Sequence, residues 1–150
     1  MSSLTDKLEK KIKAKKAKIG IIGMGYVGIP LGLGFAGTGF SVTGFDKNPA
    51  RVKEINSGKQ VMKHISKKQM KDFVDSKGSA TTEFSVASDL DCLIICVPTP
   101  LDEHEQPDMS YVERASSTIG RHLKKGQLVV LESATYPGTT REVVLSLIHI

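Results

Sequence analysis

The sequence predicts an α/β fold on a doubly wound parallel sheet, and three observations carry that prediction. Short runs of branched apolar residues alternate with helical patterns along nearly the whole chain. The run DCLIICVP (91–98) is apolar from its second residue on, as a strand covered on both faces must be. The first run ends directly on glycines spaced G-x-G-x-x-G, in KIGIIGMGYVGIP (18–30). Strands alternating with helices in this way imply right-handed crossovers. With 150 residues, 39% of them hydrophobic, the chain has the length and the apolar content for one domain with a real core.

The elements follow in order. Residues 1–17 form a lysine-rich leader in which Leu4, Leu8 and Ile12 recur every fourth residue, predicting an exposed, solvated helix with one thin apolar stripe. Residues 18–150 are the folded domain. Ala17–Gly23 is the first strand, Tyr26–Thr38 the first helix of the body, and Phe40–Asp46 the second strand. That helix holds Gly32, Gly34 and Gly37, each costing roughly 1 kcal/mol against alanine, so packing must hold it, with Leu31 and Phe35 as anchors. Asn48 as N-cap, Pro49 at the first helical position and Gly58 beyond the end mark a second helix. Ser66 caps a third, which Gly78 terminates. SATTEF (79–84) is a brief third strand and DCLIICVP the fourth. Ser110–Lys125, closed by Gly126, is a helix, QLVVLES (127–133) the fifth strand, and Thr139 or Thr140 caps a last helix. The chain ends inside that helix, so the expectation is a Rossmann-type sheet truncated before its sixth strand, in a domain fragment with an exposed edge inviting association.

Charge and cysteine usage exclude several functions. Of 21 basic and 16 acidic residues, the first 18 positions hold seven lysines against Asp6 and Glu9, so the net +5 sits in the leader and the remaining 14 of each sign cancel. A neutral body with a basic extension is not a nucleic-acid domain, and the leader lacks the aromatic anchors of a membrane-surface helix. No apolar run reaches the roughly 18 residues of a membrane span, and no export signal opens the chain; the expected location is cytoplasmic. Cys92 and Cys96 share one strand face, too far apart for a disulfide, and read as buried structural thiols. His64, His104, His122 and His149 show no ligand spacing, so no metal is expected.

The glycine turn carries the chemistry. It leaves a strand, opens a helix, and is followed 18 residues past Gly28 by Asp46 at the end of the next strand. Gly23 permits the tight turn, Gly25 lets backbone approach a pyrophosphate, and Gly28 lets helix pack on strand. The N–H groups of Tyr26 and Val27, at the positive end of the helix dipole, face the phosphates. Asp46 accepts from the adenosine ribose hydroxyls and repels a 2′-phosphate, which favours NAD over NADP. The ligand belongs beyond the carboxyl ends of the strands, near the switch between the first and the fourth.

GMGYVGIPL, GFDKNPARV, CVPTPL and ESATYPGTT together resemble the N-terminal domain of the UDP-sugar 6-dehydrogenases, from about Lys18 to Val144. The wording LESATYPGTTREV resembles the N-acetylhexosamine branch more than the glucose branch. The resemblance implies that Tyr26 and Val27 present backbone amides to the pyrophosphate, that Asp46 and Arg51 flank the adenosine ribose, and that Thr99, oriented by Pro98 and Pro100, sits by the nicotinamide ribose. On sequence alone Arg51 is equally readable as a solvated helix residue. Ser133 and Ala134 would lie near the reacting centre, where family members usually carry threonine at the position of Ala134. The family oxidises C6 of the sugar to the uronic acid with two NAD, through a cysteine thiohemiacetal and thioester, serving polysaccharide biosynthesis as a homo-oligomer. Its cysteine, lysine and asparagine lie far downstream, so no catalytic residue is expected in this chain. Two other readings are a standalone NAD-sensing module, with the leader as its contact, and the cofactor domain of a β-hydroxyacid dehydrogenase.

Overall fold

The computed structural model describes residues 2–148, so His149 lies outside the described residues. Helix α1 (Leu4–Lys13) precedes β1 (Lys18–Ile22), α2 (Gly28–Gly37), β2 (Ser41–Phe45), α3 (Pro49–Asn56), α4 (Lys67–Asp75), β3 (Gly78–Thr81), a 3₁₀ segment (Phe84–Asp89), β4 (Cys92–Ile95), α5 (Ser110–Gly120) and β5 (Leu128–Leu131). A π-helical turn, Thr140–Val144, runs on into Leu145–Leu147. The sheet order is β3-β2-β1-β4-β5, every pair parallel. The chain runs outward from β1 to β3, then returns to the other side of β1 to start β4. That reversal is the topological switch expected of a doubly wound sheet.

Two apolar layers cover the sheet, and the period-2 alternation of each strand decides which residue joins which. Ile19, Ile21, Val42, Cys92, Ile94 and Cys96 pack under α2, α3 and α4 with Ile29, Ile55, Met70 and Phe73. Ile22, Phe45, Leu93 and Ile95 face the other way, against Val112, Ala115 and Ile119 of α5 and Val144. Cys92 and Cys96 therefore do share a face, both buried as free thiols. Burial, then the charge of Glu132, pushes the Cys96 thiol up to about 11; burial, then Asp91, raises Cys92 as well.

The helix start signals hold at α3 and α4, and other signals fail for identifiable reasons. Asn48 Oδ1 accepts from the amides of Ala50 at 3.0 Å and Arg51 at 3.4 Å, with Pro49 following. Ser66 and Gln69 exchange hydrogen bonds as a capping box. Gly78 does not terminate α4: Lys77 takes the left-handed conformation (φ 64°) and Gly78 opens β3, where a Cβ would lie 2.5 Å from the Phe73 ring. Thr139 does not cap either; its hydroxyl donates back to Tyr136 O at 2.8 Å. Helix α5 stops at Gly120, well before Lys125. The buried face of α2 is Gly28, Ile29, Gly32 and Ala36 rather than Leu31 and Phe35, which are half-buried at its margin. Small residues bring this helix close to the sheet, a contact that larger anchors would hold off.

The sheet is tied at its β3 edge and at the amino end of β1. At the β3 edge the Asn56 side chain donates to Ala80 O (2.9 Å) and accepts from Ala80 N–H (2.7 Å), filling the outward ladder positions of an edge strand. At the amino end, Asp91 accepts from Lys18 N–H (2.8 Å) and from Lys11 Nζ (2.6 Å), binding α1 to the start of β1. Leu8 packs on the adjacent core, and Leu4 lies 3.4 Å from where a Cβ on Gly126 would stand. Leu4 and Leu8 of the leader's stripe thus lie against the body, while Ile12 is exposed. Asp91→Ala removes both bonds. It is expected to cost about 1–2 kcal/mol, to lower Tm by a few degrees, and to speed tryptic cleavage within residues 7–16, read by mass spectrometry.

Candidate functional site

The carboxyl ends of β1, β2 and β4 are locked to one another before any side chain acts. Gly23 N–H donates to Phe45 O (2.9 Å), Cys96 N–H to Ile22 O (2.8 Å), and Asp46 N–H to Thr81 O (3.2 Å). Each strand thereby extends its ladder one residue into its loop, and the loops leave from fixed points. Glu132 N–H, donating to Ile95 O at 2.9 Å, does the same for β5.

The three glycines of the turn differ in what constrains them. Gly23 has φ +97°, and a Cβ there would meet Cys96 O at 2.8 Å. A Cβ on Gly28 would fall on the Gly23 carbonyl oxygen. Both are required by the fold itself. Gly25 is not: its φ is ordinary and a Cβ would meet nothing within 4 Å. The backbone at Gly25 therefore faces open space two residues before Val27, the residue that precedes α2. Met24 is buried with its sulfur against Gly44, while Tyr26 and Val27 are exposed on the turn.

Beside the turn lies a cavity of about 300 Å³, at the lower end of the range for small-molecule sites. It brings together Gly23, Asp46 and Pro98 of the predicted residues with Ile22, Phe45, Lys47, Phe84 and Val97. Its fourth wall is α5, through Tyr111, Arg114, Ala115 and Thr118. Those four were missed in the sequence, although their i, i+3, i+4, i+7 spacing marks one helix face. Arg114 and Lys47 are exposed at the mouth. The start of α5 is fixed by Asp108, which accepts from Ser110 N–H at 2.9 Å. That hydrogen bond, with Arg114 adding to it, holds the Asp108 carboxyl below the usual carboxylate range.

Asp46 is half-buried at the cavity edge, and its Oδ1 accepts from Asn48 N–H at 2.9 Å. Its rotamer is fixed, and Oδ2 makes no hydrogen bond among the described residues. Arg51 is half-buried and lies outside the cavity lining; its Nη1 donates to Val61 O at 3.3 Å, pinning the loop after α3. The Val97–Pro100 loop closes on itself, with Asp108 N–H donating to Pro100 O at 2.7 Å. Thr99 is half-buried there. Ser133 donates its hydroxyl to Val97 O at 2.7 Å, stapling the loop after β5 to the loop after β4. Ala134 is exposed and Thr135 half-buried beside it. Thr99, Arg51, Ser133 and Ala134 are thus outside the cavity lining.

The chain is similar to known proteins along most of its length. Residues 17–150 match the NAD binding domain of the UDP-glucose/GDP-mannose dehydrogenase family. A UDP-N-acetyl-D-glucosamine 6-dehydrogenase of Pseudomonas aeruginosa is 39% identical over 128 residues, covering 85% of this chain and 30% of that protein. A UDP-N-acetyl-D-mannosamine dehydrogenase of Pyrococcus horikoshii is 35% identical over 127 residues, with 83% and 30% covered. A GDP-mannose dehydrogenase of P. aeruginosa, solved as a ternary complex, superposes with TM-score 0.83 at 30% identity over 87% of this chain and 31% of that one. The chain therefore spans about a third of the length of these relatives.

The contrast between glycines gives a test. Gly25→Ala is expected to melt within about a degree of the unsubstituted chain yet to lose NAD affinity, since the added methyl intrudes only on the ligand's space. Gly28→Ala is expected to destabilise by about 1–3 kcal/mol or more through overpacking, read in the same thermal melt.

Proposed function

The chain belongs to the UDP-glucose/GDP-mannose dehydrogenase family, whose NAD-binding domain it forms, and from that premise we propose that it is the cofactor portion of an enzyme oxidising C6 of a UDP-N-acetylhexosamine to the uronic acid. The single observation that carries the reading is a glycine turn with open space beside Gly25, together with a carboxylate at Asp46 that is held by Asn48 N–H and lines one cavity with Gly23. The amides that open α2, at Tyr26 and Val27, would hold the diphosphate. The cavity takes the adenosine, Phe84 and Val97 giving apolar contact and Asp46 Oδ2 accepting from the ribose hydroxyls. Thr99 and the loop after β5 would hold the nicotinamide end.

The preference for an N-acetylated sugar rests on the names of the relatives, several of which act on UDP-N-acetyl-D-glucosamine or UDP-N-acetyl-D-mannosamine. The oxidation passes two hydrides to two NAD molecules. The chain's own thiols are unsuited to hold the intermediate, because Cys92 and Cys96 are buried in the sheet and kept protonated there. Ala134 supplies no hydroxyl at the place where the family usually has threonine, and Ser133 does not replace it, its own being given to Val97 O. A cytoplasmic, homo-oligomeric enzyme without nucleic-acid or membrane partners fits this reading. Among the described residues no helix is long and apolar enough to cross a membrane.

Calorimetry tests the assignment. NAD and NADH are expected to bind more tightly than NADP, and Asp46→Ala to weaken NAD by about 10- to 100-fold while narrowing the gap to NADP. A preference for NADP, or unchanged affinity in the variant, removes the role given to Asp46. The cysteines give a second check: with burial holding Cys96 near 11, neither thiol is expected to react with a disulfide reagent at pH 8 until the chain is denatured.

A further inference from the structure

We propose that His64 is a positioning residue for the dinucleotide: its imidazole holds the Tyr26 ring to one side of the glycine turn, so that the amides opening α2 stay uncovered for the diphosphate. The inference rests on the NAD-binding reading above. Tyr26 stands between the second and third glycines with 81% of its surface exposed. A large ring there, free to change rotamer, would in part of its range lie over its own and the following N–H. Those are the donors on which diphosphate binding depends.

The ring has one aromatic neighbour among the described residues. It stacks on His64 with centroids 6.1 Å apart and planes 14° from parallel, an offset arrangement in the range of productive aromatic pairs. His64 is itself exposed, and comes from the irregular stretch between α3 and α4. That stretch is braced on both sides of the histidine. Before it, Arg51 Nη1 donates to Val61 O (3.3 Å) and Gln60 Nε2 donates to Met62 O (3.2 Å) and Lys63 O (3.3 Å). After it, Ile65 is 3% exposed in the core and Ser66 caps α4. Arg51 acts through this support: it steadies the loop that carries the imidazole, and the imidazole steadies the tyrosine.

The test compares three ligands on the full chain and on His64→Ala and His64→Phe, by calorimetry for NAD and ADP and by ligand-observed NMR for adenosine, which has no phosphate. His64→Ala is expected to weaken NAD and ADP about two- to tenfold and to leave adenosine unchanged. His64→Phe, which keeps a ring in place, is expected to restore both. The proposal is overturned if the alanine variant binds ADP as the unsubstituted chain does, if adenosine weakens equally, or if phenylalanine gives no rescue. Failure of the unsubstituted chain to bind NAD or ADP would instead remove the cofactor reading itself.

Discussion

The start of α2 lies so close to the end of β1 that no methyl group fits between Gly28 and the carbonyl of Gly23. From this approach the rest of the site follows. It sets the direction in which α2 leaves the sheet, and so the direction in which its first unpaired amides point. It forces Gly23 into a left-handed turn against the Cys96 carbonyl, which binds the turn to the exit of β4. It also admits the small-residue face of Gly32 and Ala36 to the sheet, where burial offsets the poor helix propensity of so many glycines.

Around that contact the parallel sheet acts as a jig. All five strands end on one side, and the backbone bonds just beyond each end hold the loops in register. Side chains then join loops that the ladder alone does not reach: Ser133 links the exits of β5 and β4, and Arg51 secures the loop beside the glycine turn. Residues that a family resemblance would assign to the ligand thus have work within the protein itself. Ser133 is the clearest case, since its one proton is committed to Val97 O. The cavity that results is mostly apolar, with charge only at its rim in Asp46, Lys47 and Arg114.

The glycine turn, the carboxylate after β2 and the caps of α3 and α4 were legible because each is a local event. A tight turn demands glycine, and Asn48 and Ser66 bond to amides two or three residues away. The ends of α4 and α5 were not legible in the same way. Gly78 is a glycine because Phe73 occupies the space beside it, a reason that belongs to packing rather than to helix termination. The leader read as a free amphipathic helix, because its partner, Asp91, lies 80 residues from Lys11.

What the sequence determined by itself was the order of strands and helices, the glycine turn and the placing of Asp46 just after β2, all of which arise from neighbours within a few turns of chain. What only the tertiary structure decided was the fourth wall of the cavity on α5, the use of Ser133 and Arg51 as struts, and the stacking of His64 on Tyr26. Each of these joins segments far apart in sequence. A linear pattern records which residues suit a helix or a turn, but not which distant surfaces the crossovers of a parallel sheet bring within hydrogen-bonding or stacking distance.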